Sequence, residues 1–146
     1  MTSKAAFTPE DWELIQQGPT NAGMIVVTAE RGGQFRESFA MAKAYAEARE
    51  QHGESELLDE IVTAKPKVDR TRFRSNEERK AHALQRLGEA VAALERQATP
   101  EEVEDYRSFV LSLTDRVAAA HSRGGEPVTD TERAAIDEIA ATLGRR

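Results

Sequence analysis

The chain has 146 residues, of which 39% are hydrophobic, 32% charged and only 5% aromatic, and its formal net charge is −6. This length suits one domain with a hydrophobic core and is too short for two ordinary domains. Because the chain contains no cysteine, disulfides, thiolate metal sites and cysteine nucleophiles are excluded, and a reducing compartment such as the cytoplasm is expected.

Four helices are predicted to begin at a Ser or Thr that is followed three residues later by an acidic residue. The hydroxyl of such a residue accepts a hydrogen bond from an N–H group of the first helical turn, and the acid complements the helix dipole. In the last three motifs a Glu at the third helical position completes a capping box. The motifs are Thr8-Pro9-Glu10-Asp11, Ser75-Asn76-Glu77-Glu78, Thr99-Pro100-Glu101-Glu102 and Thr129-Asp130-Thr131-Glu132.

The first two predicted helices are separated by Gly18-Pro19, a pair that is typical of a helix end. The first helix covers residues 9 to about 17, and Phe7 and Trp12 are placed to form a hydrophobic staple at its start. Residues 20 to 31 are apolar nearly all round, as in a buried helix or a short strand. We favour the helix because the sequence has no second β-branched run with which a strand could pair.

The third and fourth predicted helices lie between two turns. The Gly32-Gly33 pair predicts a tight turn and an antiparallel hairpin of the second and third helices. The third helix ends near residue 53, and a short fourth helix ends before Pro66 because the residue preceding a proline disfavours the helical conformation. Their apolar residues are Phe35, Phe39, Ala42 and Ala46 in the third helix, and Leu57, Leu58, Ile61 and Val62 in the fourth.

The fifth and sixth predicted helices carry apolar seams whose spacings alternate between three and four residues, as in coiled coils. Only the short stretch around Thr99 separates these helices, so we expect them to form the longest antiparallel hairpin of the protein. After Gly124-Gly125 a last helix follows, with an apolar stripe that includes Ile136. The seams are Leu84, Leu87, Val91, Leu94 and Ala98, then Val103, Tyr106, Val110, Leu113, Val117 and Ala120. The expected fold is all-α, a single compact bundle of six to seven helices over residues 1–146.

Motifs that would indicate an enzyme, a cofactor or a metal are missing from the sequence. It has no dinucleotide-binding or P-loop glycine motif, no nucleophile elbow and no zinc-protease helix motif. No His follows a Glu at the spacing that a carboxylate-bridged metal pair requires. A cluster of acidic residues with one His is more typical of a solvated helix start than of a cation site. That cluster is His52, Glu54, Glu56, Asp59 and Glu60. We therefore predict no catalytic residues, no cofactor and no metal.

The strongest functional signal is the basic segment, residues 65–74, which has five basic residues against one acid and a local charge of +4. Because the whole chain carries −6, the remaining residues sum to −10. An extended segment would project Arg70, Arg72 and Arg74 to one side, where guanidinium groups bind phosphates or carboxylates. The candidate anion-binding residues are Lys65, Lys67, Arg70, Arg72 and Arg74. The alternative, which we favour, is a charged connection that lies against the acidic helices of the same domain.

Several short motifs together resemble a family of small all-helical bacterial proteins of unassigned activity. They are Phe7-Thr8-Pro9-Glu10-Asp11-Trp12, Gly18-Pro19, Ala22-Gly23, Gly32-Gly33 and Glu126-Pro127-Val128-Thr129. The resemblance implies a helical fold and a bacterial cytosolic origin, and it implies no site residues. Tellurite-resistance-type helical domains are more loosely similar, but their acidic metal-site pattern is not matched at Ala29-Glu30-Arg31-Gly32-Gly33.

Three functions are compatible with these observations. We favour a small cytosolic interaction or scaffold protein that works through a helix face and binds a protein partner or a second copy of itself. The second hypothesis is an anion-binding module that uses the basic segment to bind nucleic acid or a phosphorylated or acidic ligand. The third is an enzyme or metal binder whose site the sequence does not reveal. The longest strongly apolar run, residues 24–27, is far below a membrane span, so no membrane association is expected.

Overall fold

The computed structural model describes residues 4–29, 34–50, 56–63, 76–122 and 130–144. Within these residues it contains a 3₁₀ turn, six α-helices and no strand, which confirms the all-α prediction for this part of the chain. The 3₁₀ turn is Lys4–Ala6, and the helices are α1 (Pro9–Ala29), α2 (Gln34–Glu50), α3 (Glu56–Thr63), α4 (Asn76–Gln97), α5 (Pro100–Ser122) and α6 (Asp130–Thr142). None of the described helices is both long enough and apolar enough to cross a bilayer.

The predicted helix starts at Thr8 and Thr99 are confirmed, because α1 and α5 each begin one residue after the expected cap. The helices α4 and α6 also begin at the expected positions, but their expected caps, Ser75 and Thr129, lie outside the described residues. The Thr8 hydroxyl accepts from the N–H of Asp11 at 3.1 Å. At the start of α5 the capping box is complete, since Thr99 accepts from the N–H of Glu102 at 3.2 Å and donates its own N–H to the Glu102 carboxylate at 3.0 Å. The Phe7 and Trp12 rings of the staple lie 5.8 Å apart. Satisfied first-turn N–H groups explain why these short-range signals sufficed.

The helix α1 lies at the centre of the fold. Every residue from 15 to 26 is buried except Gln16 and Met24, which are half-buried. The helix packs most extensively against α4 and α5, and less extensively against α6 and α2. The favoured interpretation of residues 22–29 as a helix is confirmed, because they form the end of α1. A helix that is apolar nearly all round is stable in water only when neighbours surround it.

The predicted helix end at Gly18-Pro19 is wrong, because α1 continues through both residues. Proline has no N–H group, so the carbonyl of Ile15, four residues earlier, loses its normal donor. The Tyr106 hydroxyl of α5 donates to that carbonyl at 2.7 Å. Gly18 makes the approach feasible, since a Cβ atom there would lie 1.9 Å from the Tyr106 oxygen. The first two predicted helices are consequently one helix, which is why the described residues contain six helices instead of seven.

The predicted long hairpin of α4 and α5 is not confirmed as the main packing unit. These helices contact each other sparsely, although Glu95 and Arg107 form an ion pair of 3.0 Å between them. Both helices instead pack against α1, and α5 also packs extensively against α2. The apolar seams of α4 and α5 pack against α1 more than against each other because α1 has apolar surface on nearly every side.

The predicted core is otherwise largely correct, except on α2, where Ala42 and Ala46 of the expected apolar face are exposed and Ala44 and Tyr45 are buried instead. Leu84 is only half-buried, and the other apolar residues for which burial was expected in the middle of the two seams are buried. The buried residues are Leu87, Val91, Leu94, Val110, Leu113 and Val117. The turns expected at Gly32-Gly33 and Gly124-Gly125 lie outside the described residues.

Candidate functional site

The anion-binding residues predicted from the sequence lie outside the described residues, so that prediction stays a prediction. They are Lys65, Lys67, Arg70, Arg72 and Arg74. Of the acidic cluster, His52 and Glu54 also lie outside, while Asp59 and Glu60 are half-buried on α3. In the described part of the chain no group of three or more His, Asp or Glu side chains is arranged to hold a metal ion.

The structure instead brings polar side chains together between α1 and α4, in a group that we call the polar seam: Glu13, Gln17 and Asn21 of α1 and Arg86 of α4. The three α1 residues are spaced by four, so they share one face of the helix. Gln17 and Asn21 are only 5% and 6% exposed, and Arg86 is half-buried. Burial of this much polar surface is unfavourable unless the groups are hydrogen-bonded.

Gln17 holds the polar seam together through both ends of its amide. Its Oε1 accepts from Nη2 of Arg86 at 2.7 Å, and its Nε2 donates to Oε1 of Glu13 at 3.3 Å. The amide thus links a guanidinium to a carboxylate across the two helices. Hydrogen bonds to an ionised partner are stronger than neutral ones, so Gln17 fixes the position of the Arg86 side chain.

Asn21 lies one turn further along the same face. Its Nδ2 has no hydrogen-bond partner among the described residues. A buried donor left unpaired costs about 1–3 kcal/mol, and such groups are uncommon in native proteins. The polar seam is therefore complete at Gln17 and incomplete at Asn21.

The Trp12 indole Nε1 and the Tyr45 hydroxyl are also buried donors without a partner in the described structure. Tyr45 packs edge-on against Phe109, with ring centroids 5.3 Å apart. Burial raises the pKa of both Tyr45 and Tyr106 well above the ordinary tyrosine value, so both stay neutral. The two hydroxyls differ in their bonding, because only the Tyr106 hydroxyl donates to a backbone carbonyl.

Arginines at the edges of the core connect the helices to one another. Arg107 of α5 donates to the backbone carbonyl of Leu143, directly after α6. Arg49 of α2 donates to the carbonyl of Val62 in the last turn of α3 at 2.7 Å. Arg116 of α5 forms an ion pair with Glu47 of α2, and its hydrogen bond and charge lower the pKa of the Glu47 carboxyl. These contacts stabilise the arrangement of helices and leave the polar seam as the candidate site.

The sequence analysis missed Gln17, Asn21 and Arg86. The available signal was two side-chain amides spaced by four residues at the start of a largely apolar stretch. The predicted helix end at Gly18-Pro19 concealed this spacing, since it placed the two amides on different helices. Arg86 gave no comparable signal, because its partner Gln17 is 69 positions away in the chain.

No protein-family model, curated protein or solved structure matches the chain. The resemblance to small helical bacterial proteins therefore rests on sequence motifs alone and remains a prediction.

Proposed function

We propose that the protein is a small helical interaction or scaffold protein whose working surface lies on its outer helix faces. The supporting observation is the position of the large apolar side chains. Among the residues whose exposure is described, no Leu, Ile, Val, Met or aromatic side chain is exposed. Exposed positions carry charged or polar residues, Pro, Ala or Gly. That the protein is not an enzyme is part of this proposal, and it rests on the missing catalytic motifs.

Such a surface favours a reversible, salt-sensitive interface over a permanent one. Obligate interfaces are markedly apolar, whereas transient ones resemble the rest of a protein surface. A homodimer would be favoured if the apolar seams of α4 and α5 were left partly uncovered within one chain. In the described residues α1 and α2 cover those seams within one chain. We therefore place a protein partner ahead of a second copy of the chain.

The proposal can be tested with surface variants that place arginines on one helix at a time. The variants are Ala81→Arg with Ala92→Arg on α4, Ser108→Arg with Ser112→Arg on α5, and Ala134→Arg with Ala141→Arg on α6, all at exposed positions. Each pair adds the same charge, so the three variants are controls for one another. The measurement is the stoichiometric recovery of co-purified protein at physiological salt, with thermal unfolding checked for each variant.

We expect one pair to abolish the recovery of a partner while the other two pairs retain it, with all three unfolding near the wild-type temperature. Equal recovery with all three variants, or no stoichiometric partner of the wild type, would contradict the proposed function. Light scattering on the purified chain tests the homodimer separately. A monomer mass at tens of micromolar protein would exclude self-association as the working interaction.

Anion binding by the basic segment is the second candidate, and its support is the charge of +4 on residues 65–74 against −10 on the remainder. A triple variant, Arg70→Gln with Arg72→Gln and Arg74→Gln, should lose retention on heparin if these residues bind phosphate or sulfate groups. The matched control is Lys43→Gln with Arg96→Gln and Arg133→Gln, which removes the same charge from exposed positions on three helices. A wild type that is not retained at roughly 50 mM salt, where counterion release favours binding, would exclude nucleic acid.

A further inference from the structure

The helix α2 has a buried side and an exposed side in its C-terminal half. Ala44 and Tyr45 are buried, and Tyr45 packs edge-on against Phe109 of α5, so this side faces the core. Ala42 and Ala46 are exposed. The side of α2 that bears these two alanines is therefore its outer side.

The apolar positions in the N-terminal half of α2 lie on that outer side. Phe35 and Phe39 precede Ala42 by seven and three residues, a spacing that keeps positions on one face of a helix. The core side of this half is mainly polar. Counted back from Tyr45 by four, seven, eight and eleven residues, its positions are Met41, Ser38, Glu37 and Gln34. An apolar face on the outer side of a helix is unfavourable in water unless something covers it.

We call the four apolar positions on the outer side of α2 the outer stripe: Phe35, Phe39, Ala42 and Ala46. Their spacing of four, three and four residues is symmetric about its midpoint. A two-fold axis at that midpoint relates two antiparallel copies of α2. It places Phe35 opposite Ala46 of the second copy, and Phe39 opposite Ala42 of the second copy. Each large residue then meets a small one, which allows two helices to pack closely.

The charges beside the outer stripe are complementary in the same arrangement. Arg36 and Glu50 lie along the same edge of the stripe, near opposite ends of α2, so the two-fold axis brings Arg36 of each copy toward Glu50 of the other. Their positions are offset by five residues, or about 7.5 Å along the helix axis, a distance that two long side chains together span. Lys43 lies on the same edge but precedes Glu47 by four residues, a spacing at which opposite charges attract within one helix.

We propose that the outer stripe is a docking surface for a second copy of the chain, in an antiparallel pair of α2 helices. A second copy is inferred because the surface is complementary to itself in size and in charge, as an isologous two-fold interface requires. Two phenylalanines and two alanines per copy form a small interface, so the dimer is expected to be reversible. The inference is independent of the proposed function, whose variants lie on α4, α5 and α6.

Self-association can be measured on the full chain by light scattering from about 1 µM to about 500 µM protein. We expect the mass to rise from that of a monomer toward that of a dimer. Ala46→Arg places a charge opposite Phe35 of the second copy and should raise the dissociation constant at least about tenfold. The matched control is Ala92→Arg, the same change at an exposed position on α4, which should leave the dissociation constant unchanged.

An exchange of charges tests the antiparallel register. Arg36→Glu and Glu50→Arg should each weaken self-association, because each variant brings like charges together at both ends of the interface. An equimolar mixture of the two variants should restore the dimer, since both pairs then join opposite charges. A mixture that stays as monomeric as the separate variants would overturn the proposed pairing.

Phe39→Ala distinguishes docking from packing within one chain. At about 1 µM, where the wild type is expected to be monomeric, this variant should unfold near the wild-type temperature. A large fall in its unfolding temperature would mean that another part of the same chain covers the outer stripe. That result, a monomer mass of the wild type over the whole concentration range, or equal effects of Ala46→Arg and Ala92→Arg would overturn the proposal.

Discussion

Two faces of α1 carry buried polar groups, and they differ in whether those groups are satisfied. Toward α5, Pro19 deprives the Ile15 carbonyl of its helical donor, and the Tyr106 hydroxyl replaces it at 2.7 Å. Toward α4, Gln17 is bonded at both ends of its amide, yet Asn21 one turn later has an unpaired Nδ2 within the described structure. The first face is complete and serves folding. The second retains a buried donor without a partner, which is unfavourable for folding.

The largest effect is expected from Gly18→Ala, which tests the complete face. The added Cβ would lie 1.9 Å from the Tyr106 hydroxyl oxygen and 3.3 Å from Cδ1 of Leu87. Because Tyr106 is buried and cannot swing aside, its bond to Ile15 should break and the core should shift. We expect a loss of about 3 kcal/mol in the free energy of unfolding, measured by urea denaturation.

Gly88→Ala is the matched control, since Gly88 also lies inside a helix. A Cβ there would meet only Cγ2 of Thr142 at 3.6 Å, an ordinary van der Waals contact. Replacing a helical glycine by alanine without a clash should stabilise the protein by about 0.5–1 kcal/mol. Similar effects of the two substitutions would show that the contact between Gly18 and Tyr106 does not constrain the fold.

The next effect in size concerns the hydroxyl of Tyr106. Tyr106→Phe leaves the buried Ile15 carbonyl without a donor and should destabilise the protein by about 1–3 kcal/mol. In a Pro19→Ala background the residue at position 19 regains an N–H group that can donate to the same carbonyl. The cost of Tyr106→Phe should then fall, and a double-mutant cycle measures the difference. Equal costs in both backgrounds would refute the replacement of the missing helical bond by Tyr106.

Tyr45→Phe provides the control for that measurement. The Tyr45 ring is as buried as that of Tyr106, but its hydroxyl lacks a partner in the described residues. Removing an unsatisfied buried hydroxyl is neutral or stabilising. The two Tyr→Phe substitutions should therefore differ in sign or clearly in size when unfolding is followed by circular dichroism.

Smaller effects are expected on the incomplete face. Asn21→Leu removes an unpaired donor and should be neutral or stabilise the protein by up to about 1 kcal/mol. Gln17→Leu removes the acceptor that lies 2.7 Å from Arg86 and should destabilise the protein by about 1–3 kcal/mol. Thermal unfolding of the two variants distinguishes the satisfied amide from the unsatisfied one. A clear loss of stability in Asn21→Leu would mean that its amide is paired after all.

The smallest effect is expected at the edge of the core, where Arg116 pairs with Glu47. The hydrogen bond and charge of Arg116 lower the pKa of Glu47 in the folded protein. Because the folded pKa is depressed, this pair stabilises the fold at neutral pH, and the contribution is lost as the pH falls through that pKa. NMR titration should show the Glu47 pKa returning toward its ordinary range in Arg116→Gln. An unchanged pKa would show that the pair does not form in solution.

The two faces also show how far the sequence could predict the candidate site. Gly18 and Pro19, which mark the complete face, predict a helix end because such a pair is typical of one, and the sequence nearby does not reveal the distant hydroxyl that replaces the missing donor. The incomplete face was not recognised, since its amides fell on two different predicted helices. The predicted basic segment lies outside the described residues and stays untested.

By itself the sequence determined the all-α class, four helix starts and most of the core. Those features depend on partners within one turn, such as Thr99 and Glu102, or on an apolar spacing that any neighbouring helix can satisfy. Only the tertiary structure decided that α1 continues through Pro19 and that α4 and α5 pack on it more than on each other. The physical reason is distance along the chain: the donor that completes α1 is a hydroxyl 91 residues from the carbonyl that it satisfies.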